Sequence, residues 1–208
     1  MGSESKSIFG TVLVAVGSIS AAIGSTPSNF INNKFRNELN LWGKVLQAEG
    51  NAIQADVKGN VIRTIGKEFT AIGNVTVISG LVFDIKKESS HKLFVTGNLI
   101  QALGVGINIG NEIDLSPFPG QSEIIIGDIL QFIGSSLQAK GWSNEIKNSK
   151  ENANVDEHNK ISYKYEDYLE KNNGQSETLV VTGSWIQAIG SVIEVIGTTK
   201  DVLSAQDS

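Results

Sequence analysis

The sequence predicts an all-α protein, a repetitive bundle of antiparallel helical hairpins whose helices carry stripes of glycine and pack closely. Three observations carry that expectation. Glycine supplies 22 of the 208 residues, and inside each run the step is seven: 10, 17, 24; 43, 50; 59, 66, 73, 80; 97, 104; 120, 127, 134, 141; 183, 190, 197. Seven residues are two helical turns, so glycines at that step line one side of a helix. The glycines also sit in repeated units: 92–107 and 178–193 share nine of sixteen residues at a constant offset of 86. Internal repetition of this kind means stacked supersecondary units.

The elements follow in order, at 4–24, 29–57, 59–86, 90–113, 121–148, 150–172 and 177–204. The first carries Gly10, Gly17 and Gly24 and stops at Thr26-Pro27-Ser28-Asn29. The second opens near Asn37-Glu38, where an acceptor and a negative charge suit the positive end of a helix. The third contains VTVISGLVF at 75–83, a β-branched run with a strand alternative, but its alternation does not persist while the heptad does. The fourth ends at Ser116-Pro117-Phe118-Pro119-Gly120, which divides the chain into helical repeats at 1–115 and at 120–208, together one compact unit. The fifth and seventh open on the same tetrapeptide, Gly-Gln-Ser-Glu, at 120–123 and 174–177. Between them lies a polar insertion, 143–172, with twelve of the 39 charged residues. Its first half reads as a loop and its second as an amphipathic helix.

A glycine inside a helix costs roughly 0.5–1 kcal/mol relative to alanine. Close approach of a second helix offsets that cost, because no Cβ holds the backbones apart. Gly10, Gly17, Gly24, Gly43, Gly50, Gly59, Gly66, Gly73, Gly97, Gly104, Gly127, Gly134, Gly183, Gly190 and Gly197 are therefore the expected helix-packing and assembly residues. Gln47, Gln54, Gln101, Gln131, Gln138 and Gln187 recur in register with them. They read as solvent-side positions, or alternatively as a polar ladder between helices. Trp42, Trp142 and Trp185 each lie within two residues of a glycine and are expected in the core. Tyr163, Tyr165 and Tyr168 are the expected contact for a protein partner.

Composition excludes several classes of chemistry. With 17 basic against 22 acidic residues the net charge is −5, which argues against a nucleic-acid partner. The absence of cysteine and the presence of only two histidines, His91 and His158, exclude thiolate and multi-histidine metal sites. No catalytic or cofactor fingerprint is present, and Gly104-Val105-Gly106 lacks the Lys-Ser/Thr of a phosphate loop. No cofactor, no metal and no enzymatic activity are expected.

Residues 8–24 are uncharged, which raises the question of a leader or a membrane span. They share the register of 183–197, so a structural repeat is the better reading, with cytoplasmic synthesis and no cleaved leader. Gln101, Gln131, Gln187 and Glu194 interrupt the apolar segments, which makes a membrane the less favoured partner. The expected function is a non-enzymatic structural protein that stacks through Gly/Ile helix faces and self-assembles into an oligomer, filament or layer. The alternatives are a membrane-active toxin or pore-forming subunit, and a helical adaptor or inhibitor. Units such as Gly-Asn-Leu-Ile-Gln-Ala-Leu-Gly at 97–104 resemble those of an uncharacterised repetitive protein family of spore-forming bacilli. That resemblance implies no activity; it suggests a Gram-positive setting and deposition on a cell or spore surface.

Overall fold

The computed structural model describes residues 2–57, 59–157 and 163–206; the side chains of 151–157 and 163–173 lie outside the description. The described residues form six helices: α1 (Ser3–Ser25), α2 (Asn33–Ala55), α3 (Val61–Val82), α4 (Lys87–Asp114), α5 (Gln121–Glu157) and α6 (Tyr163–Gln206). No strand occurs among the described residues. The chain is all-α, with one helix fewer than expected. The described residues of the polar insertion belong to the flanking helices: α5 runs on to Glu157 and α6 begins at Tyr163. Two of the expected starts also shift. Asn37 and Ser176 lie inside α2 and α6, while Asn32 and Asn60 cap α2 and α3 by accepting from the amides of Phe35 and Arg63.

Every helix packs on its neighbours in the chain, and α1 also packs on α6. No other pair of helices comes together among the described residues. The six therefore close into a ring, and both halves of the sequence belong to it. The helices α5 and α6, at 37 and 44 residues, are longer than the other four, which have 22 to 28.

Three antiparallel hairpins, α1/α2, α3/α4 and α5/α6, hold the ring through facing glycines. The pairs are Gly10 with Gly50, Gly17 with Gly43, Gly66 with Gly104, Gly73 with Gly97, Gly127 with Gly190, and Gly134 with Gly183. At each of these twelve glycines a Cβ would lie 2.5–2.8 Å from the carbonyl oxygen of its partner. One glycine Hα therefore points at that oxygen, the geometry of a Cα–H···O contact worth about 0.5–1 kcal/mol. Gly24 faces the Arg36 carbonyl, Gly197 faces that of Gly120, and Gly80 and Gly141 face Phe94 and Val180.

Gly59 is the correction to this set. It sits in the α2–α3 turn at φ +124°, with open space around its Cβ position. It is glycine for its left-handed backbone, not for a helix contact. Gly174, which precedes the expected 177–204 helix, is itself helical and also meets nothing.

Gly190→Leu is expected to destabilise by roughly 1–3 kcal/mol or more through overpacking. Gly174→Leu should be neutral, or stabilising by up to about 0.5–1 kcal/mol, because it replaces an exposed helical glycine. Chemical denaturation of both variants measures the difference.

Candidate functional site

With the glycine stripe turned toward the hairpin partner, the register fixes every other face. The residue after each glycine, and the one three further on, point into the ring. These inward positions are mostly polar. In α2 they are Lys44, Gln47, Asn51 and Gln54; in α5, Asp128, Gln131, Ser135 and Gln138; in α6, Ser184, Gln187, Ser191 and Glu194. All are buried. The helix α4 contributes Asn98, Gln101 and Asn108, and α3 contributes Lys67, Thr70 and Asn74. The six glutamines are thus interior groups rather than solvent-side ones, with Gln101 fully buried at 0% exposure.

The residues two and six after the glycines face outward, and most are large and apolar. Val12 and Val16 follow Gly10, Ile129 and Ile133 follow Gly127, and Trp185 and Ile189 follow Gly183; all six are exposed. The tryptophans divide accordingly. Trp42 and Trp185 are exposed rather than in the core. Trp142 stacks with His91 and Phe94 at centroid distances of 4.9 and 4.7 Å. Leucine and isoleucine, the usual core residues, are largely on the outside of this protein.

Polar contacts tie the interior across the ring. Lys67 Nζ of α3 donates to Glu194 Oε1 of α6 at 2.6 Å, and both side chains are almost fully buried. The helices α3 and α6 do not pack together, so this ion pair spans the lumen. Gln131 Nε2 donates to the other Glu194 oxygen at 2.7 Å. One level along, Gln138 Nε2 donates to Gln187 Oε1, and Gln187 Nε2 donates to Gln101 Oε1 and to Ser135 Oγ. Asn51, Asn74 and Asn98 turn their amide groups onto carbonyls four residues back in their own helices.

Many polar atoms stay without such a contact. Both amide ends of Gln54 and Asn108, Lys44 Nζ, Asp128 Oδ1 and Glu112 Oε2 have no hydrogen-bond partner among the described residues. An unmet buried polar atom costs about 1–3 kcal/mol. Folded proteins satisfy such groups with ordered water or bound ions.

Among the described residues no three His, Asp or Glu side chains stand where they could hold a metal. Tyr163, Tyr165 and Tyr168 lie in the first turns of α6, with side chains outside the described ones, and His158 lies outside the described residues altogether.

Fold and interior define a closed six-helix ring that is polar within and apolar without. By its sequence the chain belongs to DUF6944, a family of unknown function, whose model matches residues 5–195. No curated protein and no solved structure matches it.

Lys67→Met should cost about 3–5 kcal/mol, since it leaves the Glu194 carboxylate buried without its counter-charge. Adding Glu194→Gln should restore part of that loss. A double-mutant denaturation cycle with a coupling term near zero would contradict the pairing.

Proposed function

We propose that this protein is a non-enzymatic membrane component, a helical barrel that sits in a bilayer with its apolar girdle against lipid. The observation that carries this reading is the inversion of the usual pattern, with amides, hydroxyls and an ion pair inside and isoleucine, valine, leucine and phenylalanine outside. A broad exposed apolar surface of this kind marks contact with lipid or with protein. Polar groups turned inward suit a chain whose surroundings cannot hydrogen-bond.

Dimensions agree with a bilayer. Residues 7–25 of α1 and 93–111 of α4 are uncharged, and nineteen residues of helix rise about 28 Å, close to the roughly 30 Å of a hydrocarbon core. Ser3–Ser25, Lys87–Asp114 and Gly174–Gln206 are long and apolar enough to cross a membrane. In α2, α3 and α5 part of the ionisable side chains, Lys44, Lys67 and Asp128, is buried inside the ring and would not meet lipid, while others such as Glu49, Glu68 and Lys140 lie on exposed positions. The paired glycines read as a glycine zipper, the packing that associates helices where lipid removes the hydrophobic drive. The lumen offers hydrogen-bonded amides and the Lys67–Glu194 ion pair rather than a nucleophile with its base, which supports a role in passage or binding over catalysis.

This reading favours the pore-forming alternative over a filament or surface layer. Self-association keeps one specific support. Glu49 and Glu68 are exposed carboxylates on the adjacent helices α2 and α3, and they break the apolar girdle on that side. A seam of this kind suits contact between copies of the ring within the membrane.

Cell fractionation tests the membrane assignment. The protein should pellet with membranes, resist alkaline carbonate and leave in mild detergent as a monodisperse particle. Recovery in the detergent-free supernatant as a large soluble assembly by light scattering would contradict it and support the filament instead.

A further inference from the structure

At the end of the ring where α1 finishes and α2 begins, an open cleft of about 450 Å³ lies between α1, α2, α5 and α6. Arg36, Glu145 and Glu177 share its wall, and Arg36 Nε has no partner among the described residues. Ser25, Asn40, Trp142 and Val180 wall this cleft and also a second, smaller chamber within the ring. The cleft therefore adjoins the chamber. The chamber has about 20 Å³ of free space, and Lys44, Asn98 and Gln138 complete its polar lining.

Lys44 is the feature that calls for explanation. It is 3% exposed, and its Nζ has no hydrogen-bond partner among the described residues. The ion pairs of the described residues do not include it, and no carboxylate lines the chamber. A buried ammonium without a counter-charge is costly, and such a group is paired or gives up its proton. Lys67 meets that requirement with Glu194; Lys44 has no equivalent among the described residues.

We infer that the Lys44 chamber is a binding site for a monoatomic anion of the halide class, entered from the Arg36 cleft. Size selects the class. Free space near 20 Å³ holds one water or one such ion, and a phosphate or carboxylate does not fit. Chemistry agrees. Lys44 offers three N–H donors, none of them taken up among the described residues, to an ion held in the chamber. The Asn40 amide, now held by Ser25 Oγ at a long 3.4 Å, supplies a neutral donor at the entrance. Glu145 and Glu177 line the cleft and not the chamber, so their charge stays outside the site. The inference rests on the interior of the ring and holds whatever covers the exterior.

Thermal unfolding of the detergent-purified chain in sodium chloride, bromide or gluconate at equal ionic strength tests it, together with the ³⁵Cl linewidth. Halide at about ten times its Kd should raise the melting temperature by roughly 3–5 °C over gluconate. The chloride line should broaden with protein and narrow again on adding bromide. Lys44→Met should abolish both responses and melt higher than the wild type in gluconate, because the lone buried charge is gone. Asn40→Leu keeps the charge but removes a donor, and should weaken halide affinity about tenfold; it serves if Lys44→Met does not fold. Identical melting in all three salts with no broadening would overturn the site, as would a Lys44→Met protein that responds like the wild type.

Discussion

The structure depends on the absence of six pairs of Cβ atoms. In each hairpin two glycines face two glycines, so close that any side chain at one would strike the carbonyl of the other. This contact sets the register of all three hairpins and therefore the rotation of every helix about its axis. Once the glycines face the hairpin partner, the position one residue later must face the ring interior and the position two later the exterior. Helix propensity is given up at these sites, and the close backbone approach returns dispersion and weak Cα–H···O contacts.

From that rotation the inversion follows. After the twelve paired glycines come Thr11, Ser18, Lys44, Asn51, Lys67, Asn74, Asn98, Asp128, Ser135, Ser184 and Ser191, and one apolar residue, Val105. A soluble bundle would hold leucine at most of those places. Here the interior is held by directional contacts, with Glu194 joining α3, α5 and α6 through Lys67 and Gln131. Gln187 does the same for α4, α5 and α6 through Gln101, Gln138 and Ser135. Directional contacts fix a unique arrangement but leave atoms such as both ends of Gln54 to other partners. A polar interior of this kind is suited to water and small ions.

The helices and the seven-residue rhythm were legible in the sequence, because glycine spacing and Pro27, Pro117 and Pro119 punctuate it clearly. Which side faces in was not. Periodicity shows that two faces differ, and placing the polar one toward solvent presumes water outside. That presumption favoured the surface over an interhelical ladder for Gln101 and Gln187 and placed Trp42 and Trp185 in the core, whereas both glutamines are buried and both tryptophans exposed. A finer signal was available: polar residues hold a fixed offset from glycine, so they share the hairpin's inner flank. The helical continuation of α5 to Glu157 was hidden for a different reason, since 143–157 is rich in Asn and Lys and shows no apolar face to read.

The central claim is that the exterior of this ring meets hydrocarbon while its polar groups are enclosed. The chain has no cysteine, so single spin labels can be placed at Val16, Ile129 and Ile189 without background. Power saturation in lipid vesicles compares collision with oxygen, which concentrates in the bilayer, and with a water-soluble nickel chelate. The account predicts all three labels to be reached by oxygen and shielded from the chelate. Labels open to the chelate as in water, or hidden from both reagents, would contradict it.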